Sequence, residues 1–429
     1  MKDRISFPSW LQLDTVNDRL ASLAAFRKNA RLALHQFGLP SRKDERFKHA
    51  HLDFLYQQHF KSSVLSQEND SRLTEMIQEK RIKSDQSILL TVIDGIFSQA
   101  LSDCTHLPKE AVICELSEAY ERYPDLINAH FNRIIDAKRY PFANLNAALF
   151  SDGLFFYLPD HCRIDIPIHL LFISDTNENI TQHPHHLFIL GENSKAILVE
   201  EHITSPSSLS LMNIVSSINV GKSAELVRYK IQTIVNRASH VATTFIDQAE
   251  DSQVLFFNIA IGSLFSRDDI IAQLQSSRAR CEFIGFYHLN RDDQYIDHHL
   301  DINHHATHCH SEMFYKGIVD KKSCAVFNGK LSVQSGANKT SAHQTNHHLL
   351  LSQKAESYAQ PELEIYADDV KCKHGATTGE LDQDMLFYMQ SRGINQEDAR
   401  AILLKGFLEE VMKRMVHSDI KYHIEMQLS

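Results

Sequence analysis

Cys372 and His374 stand two positions apart in the stretch DDVKCKHGATTGELD, residues 368–382. In an extended chain, residues i and i+2 point to one face with Cα atoms roughly 7 Å apart, so Val370, Cys372 and His374 would share a face. A thiolate beside an imidazole suits an iron–sulfur, zinc or copper(I) site. Two ligands do not complete such a site, because clusters generally take four, and the rest would come from another chain or stay open. The run GATTG from Gly375 to Gly379 leaves a backbone that a partner or cluster can approach closely. Two other readings stand beside this one. A cysteine nucleophile with a histidine base would need an orienting third group and an oxyanion hole, and neither has a trace in the sequence. Two residues that merely pack is the plainer alternative.

A second candidate is HHLDINHHATHCH, His298 to His310. Asp297 and Asp301 could orient the imidazoles. The spacing matches no tetrahedral zinc signature. In a strand, neighbouring histidines face opposite sides and cannot converge. The expectation is a set of surface or partner-facing histidines. The stretch GANKTS (336–341) has the residue types of a phosphate loop without its glycine spacing, and no G-x-G-x-x-G occurs. No ATP or dinucleotide site is therefore expected on this chain.

The bulk properties remove other classes. The net charge is -10 over 429 residues, with no clustered Lys and Arg, which argues against nucleic acid. The start, MKDRISFPSW, has no apolar signal core, and no apolar run approaches the roughly 18 residues of a membrane span. Seven widely spaced cysteines without C-x-x-C do not form a disulfide framework. A cytoplasmic, reducing compartment is expected, with no membrane association.

These candidates need elements to position them. Residues 1–143 read as a mostly helical domain. Leu13, Val16, Leu20, Leu23, Phe26, Ala30 and Leu34 recur at spacings of three and four before Gly38 and Pro40. EMIQEKRIK (75–83) and Glu115 to Ala137 are further helical patterns, and SILLTVIDGIFS (87–98) is a β-like run closed by Asp94-Gly95. Residues 144–365 carry short β-type runs every eight to twelve residues, including LFFYL (154–158), RCEFIGFYHL (280–289) and CAVFNGKLSV (324–333). So many short strands suit a stacked β-solenoid, although no strict repeat motif occurs and a large sandwich or barrel stays open. Residues 366–429 return to helix. Leu381, Met385, Leu386 and Met389 share one helical face, Gly393 sits at a C′ position, and Asn395 caps a second helix. That αα-hairpin has apolar surface to spare and is a candidate docking element, or it merely caps the solenoid.

QPELEIYADDVKCKHGATTGELDQDMLFYMQSRGINQEDARAILLKGFLEEV (360–411) resembles the C-terminal signature of the SufB/SufD family of iron–sulfur cluster assembly proteins. FNGKLSVQSGANKTSAHQTNHHLLLS (327–352), LNAALFSDGLFFYLP (145–159), HPHHLFILGENSKAILVEEH (183–202) and GLPSRKDERFKHAHL (38–52) are similar to further segments of that family. Gly375, where SufB-type chains have Glu, resembles the SufD branch. The resemblance implies a mainly β fold: a right-handed parallel β-helix flanked by N-terminal and C-terminal helical domains. It also implies a non-catalytic scaffold subunit of a SufBCD complex. Such a chain pairs with SufB through the β-helix, and its C-terminal helical domain docks the SufC ATPase, where ATP is hydrolysed. It implies a transient iron–sulfur cluster or iron shared with SufB, with His374 as this chain's ligand and Cys372 the lesser candidate. Reduced flavin is linked to that complex, with no site legible here. A homodimer is possible in isolation. Arg46-Phe47 and His49-Ala50 depart from the family's N-terminal pattern. The competing readings are a homodimeric His-rich metal-binding protein built on His298–His310, and a secreted polysaccharide-acting β-helix enzyme.

Overall fold

The computed structural model describes residues 7, 8, 10, 11, 23–62, 71–84, 86–131, 135–150, 152–174, 178–204, 210–234 and 238–428. Leu13, Val16 and Leu20 lie outside these residues; the helix they were expected to extend is described as Ala24–Phe37. Its Gly38 ends the helix at φ 79°, with its N–H donating to the Leu34 carbonyl.

The centre of the molecule is a parallel β-solenoid whose chain alternates between two sheets. The first sheet includes Leu211–Val220, Ser239–Gln248, Phe265–Leu274, Tyr295–His304, Cys324–Val333 and Glu356–Ile365. The second includes Lys195–Thr204, Glu225–Ile234, Gln253–Gly262, Arg280–Leu289, His310–Val319, Ser341–Leu350 and Lys371–Glu380. The register step varies from 26 residues, Ser239 to Phe265, to 32 residues, Cys324 to Glu356. That variation hides the repeat from a fixed-period search.

A repeat nevertheless exists at the corners. Asn193, Ser223, Asp251, Arg278, His308 and Lys339 all adopt φ between 54° and 63°, each two residues before a second-sheet strand. Left-handed backbone costs a non-glycine residue roughly 1–2 kcal/mol. Each of these residues donates its N–H to a carbonyl of the next corner, as in Asn193 to Lys222 at 2.8 Å and Ser223 to Glu250 at 2.8 Å. The residue that follows is small and buried: Ser194, Ala224, Ser252, Ala279, Cys309 and Thr340. The corner is thus specified by backbone geometry and size, not by residue identity.

Alternation along each strand sends one set of side chains into the solenoid and the other outward. The interior set is the largest core, including Ile214, Leu226, Phe256, Phe283, Leu300 and Phe327. Gly285 belongs to it because the Tyr315 ring occupies its space: a Cβ there would lie 2.1 Å from Tyr315 Cε1. The outer face of the first sheet is covered by Ala24–Phe37, Phe54–Gln57 and Pro141–Leu149, through Leu34, Leu55, Phe142 and Leu145. The outer face of the second is covered by Gln396–Met412 and Ser418–Leu428, through Val411, Met412, Ile420 and Ile424.

The two ends differ. At one, Ile88–Ile93 pairs antiparallel with Ile96–Asp103 around the Asp94-Gly95 turn, and Val112–Glu115 pairs antiparallel with Leu154–Leu158. At the other, Glu356–Ile365 and Lys371–Glu380 are the last strands of their sheets. The solenoid therefore runs on past residue 365.

The histidine expectation holds for His305 and His308, which are exposed, and is corrected for three others. His298, His299 and His304 are buried, not surface-facing. His298 points inward beside Asp268, at 3.8 Å. His299 points outward to Asp297, at 2.8 Å, under the N-terminal helical layer. The strand alternation that separates them is as expected. Their burial escaped sequence reasoning because the covering partners, Arg46 among them at 3.2 Å from His299 Nδ1, come from distant segments. The unusual Arg46 also pairs with Asp269 at 3.2 Å, and Phe47 lies under the Arg267 guanidinium at 4.1 Å.

Candidate functional site

The terminal strand Lys371–Glu380 aligns with Ser341–Leu350, so Cys372 lies beside Ala342 and His374 beside Gln344. Cys372, His374, Ala376 and Thr378 continue the inward-facing columns of the solenoid. On earlier turns a further strand closes over these positions. Here no strand follows among the described residues, and His374 is exposed. Cys372 is half-buried against the end of the core. Burial pushes its thiol pKa up, partly countered by the Ala342 backbone. A neutral thiol at the end of an apolar core is a resting state that a soft metal would deprotonate on binding.

Sequence reasoning put Cys372 and His374 on one face, and the strand does so. No third His, Cys, Asp or Glu joins them as a metal-binding group among the described residues. Nothing within 4 Å would meet a Cβ at Gly375 or Gly379. Unlike Gly285, these glycines answer no packing demand of this chain.

Part of the solenoid interior is polar, in a row running through several turns. Glu200 pairs with Arg228 at 3.1 Å and with His202 at 2.7 Å. Lys230 pairs with Asp268, and Tyr287 with His348. Burial disfavours an ionised Asp268, but Lys230 and nearby histidines hold its pKa well below the ordinary carboxylate range. Burial lowers the pKa of His298 and His348 to about 4, so both are neutral at neutral pH. Gln344, the neighbour of His374, is buried, and neither atom of its amide finds a partner among the described residues. Unpaired buried amides cost about 1–3 kcal/mol each. The sequence did not reveal this row: the strand Phe265–Leu274, which supplies Asp268, opens with FSRDD and carries no apolar run there.

The C-terminal hairpin follows directly. Asp382 caps Gln383–Ser391, accepting from the Met385 N–H at 2.9 Å. Gly393 turns the chain at φ 89°, and Asn395 accepts from the Asp398 N–H at 2.8 Å. The base of the second helix is fixed to the second sheet by Lys316 with Glu410, and by Arg414 with Glu312 at 2.6 Å. Its tip is apolar and uncovered: Met385, Phe387, Tyr388 and Ile402 are exposed, Phe387 at 72%. All seven cysteines are free, and no described helix is long and apolar enough to cross a membrane.

The comparisons with known proteins agree over most of the chain. A model described as the SufBD core domain of the SUF system for FeS cluster assembly matches residues 172–407. A model of the SufBD protein N-terminal region matches residues 13–170. The chain is 30% identical to an iron–sulfur cluster assembly SufBD family protein of Synechocystis, over 79% of this chain and 77% of that one. It is 28% identical to the iron–sulfur cluster assembly protein SufD of Escherichia coli, over 90% and 88% of the two chains. It is 25% identical to SufD of Bacillus subtilis, over 92% of each. The core model spans the solenoid strands up to and including the Cys/His strand, and the N-terminal model spans the helices that cover the first sheet; the chain belongs to the SufBD family of iron–sulfur cluster assembly proteins.

Proposed function

We propose that this chain is the SufD-type scaffold subunit of a cluster assembly complex. It pairs with a SufB-type chain through the open end of the solenoid and docks a SufC-type ATPase on its C-terminal hairpin. The chain itself performs no catalysis. The observation that carries this reading is the open end. Two edge strands of ten residues, Glu356–Ile365 and Lys371–Glu380, have no strand beyond them among the described residues. Long uncovered edges are templates for pairing with another chain. Cys372 and His374 sit on that edge as an incomplete ligand pair. Gly375 and Gly379 leave room for close approach.

In this reading the iron or cluster is cargo held between chains. His374 supplies an imidazole that is exposed without the partner, Cys372 is the weaker second ligand, and the partner completes the set. The exposed Met385, Phe387, Tyr388 and Ile402 support the hairpin as the ATPase-docking surface. Anchoring of the same helix by Lys316 and Arg414 supports a route by which ATPase movement reaches the solenoid. The division into 1–143, 144–365 and 366–429 belongs to this proposal, with the strand Lys371–Glu380 bridging the last two parts. Co-expression with SufB-type and SufC-type partners tests it. The expected result is a complex that loads cluster anaerobically and loses cluster, but not subunits, on His374→Ala. Failure of the chain to co-purify with either partner sinks the proposal.

A further inference from the structure

Toward the other end of the second sheet from Lys371–Glu380 lies a second group of possible ligands. His169, Glu201 and His423 lie together, all buried, with one ligand atom from each within 4.8 Å of the others. His169 comes from the strand Arg163–Ser174, Glu201 from the adjacent strand Lys195–Thr204, and His423 from the last helix, Ser418–Leu428. Glu201 Oε2 is 3.2 Å from His169 Nε2 and 2.7 Å from His423 Nε2. The two imidazole rings stand at 74° to each other, with centroids 5.8 Å apart.

Two observations make this more than a packing contact. Glu201 has no exposed side-chain surface, and its Oε1 finds no partner among the described residues. Among the described residues its ion-pair partners are the two histidines, with no Lys or Arg. A buried carboxylate with no Lys or Arg beside it among the described residues leaves a negative charge without a permanent counter-charge and one oxygen unsatisfied. Both are costly in a protein interior. A divalent cation removes both costs. Two imidazoles and one carboxylate are a donor set for zinc-like ions. Tetrahedral bonds of about 2.0–2.2 Å put ligand atoms roughly 3.3 Å apart, close to the 3.2 Å and 2.7 Å from Glu201 Oε2 to the two imidazole nitrogens, with all three ligand atoms within 4.8 Å of one another.

We propose that His169, Glu201 and His423 bind a structural divalent transition-metal ion, Zn2+ being the best fit, that clips the C-terminal helix to the solenoid wall. Being buried, the ion is locked in as the last helix docks, so binding is coupled to that docking. The proposal does not rest on the pairing at the open end, and either can fail without the other.

The His169 ring offers the rival. Its Nδ1 lies 3.4 Å from the Ile82 amide. Donation by that amide would place the imidazole proton on Nε2, facing Glu201, and make the trio a metal-free hydrogen-bonded clip. The experiment is zinc analysis of the full-length chain. Wild type, His423→Gln and Glu201→Gln are each loaded with ZnCl2, gel-filtered against a weak chelator, and assayed for metal and for Tm. The expected result is about one retained Zn2+ per wild-type chain, at least about tenfold weaker retention in both variants, and a zinc-dependent Tm rise in wild type only. Wild-type retention below about 0.1 equivalent, or equal zinc in wild type and variants, overturns the site. Should the variants not fold, X-ray absorption of the zinc-loaded wild type decides. Two imidazoles with oxygen support it, and a sulfur ligand, pointing to Cys372 instead, overturns it.

Discussion

Acid should unfold this protein through its buried histidines, before its carboxylates protonate. Burial lowers the pKa of His304 and His348 to about 4 and that of His186 to about 3, from 6.5. His298 behaves likewise, with Asp268 opposing the shift. The sign follows from linkage. Each imidazole is neutral in the folded state and takes a proton only near its depressed pKa, whereas the unfolded chain takes it near 6.5. The unfolded state therefore binds more protons between these values, and stability falls as pH falls through that window. For a shift from 6.5 to about 4, lowering the pH from about 7 to about 5 costs about 2 kcal/mol per histidine. Four such groups cost several kcal/mol together, a large share of an ordinary stability of about 5–15 kcal/mol. Urea unfolding at about pH 7, 6 and 5 measures this directly. His348→Gln removes one titrating group, and the variant's loss between pH 7 and 5 should be smaller than that of wild type by about 2 kcal/mol. Equal pH dependence in both, or a wild type as stable at pH 5 as at pH 7, would refute the account of a polar interior held neutral by burial.

Three further outcomes are expected. Gly285→Ala puts a Cβ 2.1 Å from the Tyr315 ring, and should cost about 1–3 kcal/mol in thermal or urea unfolding. Gly375→Ala, which meets nothing within 4 Å, should change the stability of the isolated chain by less than about 0.5 kcal/mol while weakening co-purification with the SufB-type partner. Phe387→Ser removes a side chain that is 72% exposed. It should leave Tm unchanged and weaken capture of the SufC-type ATPase in a pull-down.

The sequence made some of this legible because the signals were local. Asn395 and Gly393 act as cap and turn because capping needs only neighbouring backbone groups. Cys372 and His374 share a face because strand parity is fixed by covalent geometry. The apolar runs found second-sheet strands such as Arg280–Leu289 readily. Several first-sheet strands, Phe265–Leu274 and Tyr295–His304 among them, were missed. Their outward positions, Arg267, Asp269, Asp297 and Asp301, are buried in ion pairs beneath the N-terminal layer, so no alternation of apolar and polar residues remains. The solenoid repeat was hidden for a different reason. Its corners require a left-handed residue and then a small one, and Asn193, Arg278 and His308 meet the first demand with unrelated side chains. His169, Glu201 and His423 could not be read at all, because 222 positions separate Glu201 from His423.

The central claim is that the open end forms a shared site with His374 as this chain's ligand. Its most direct test is cluster content of the co-expressed complex carrying His374→Ala, with subunit stoichiometry measured on the same sample. The account predicts an intact complex whose iron and sulfide fall far below wild type. Wild-type cluster content in an intact complex would contradict it.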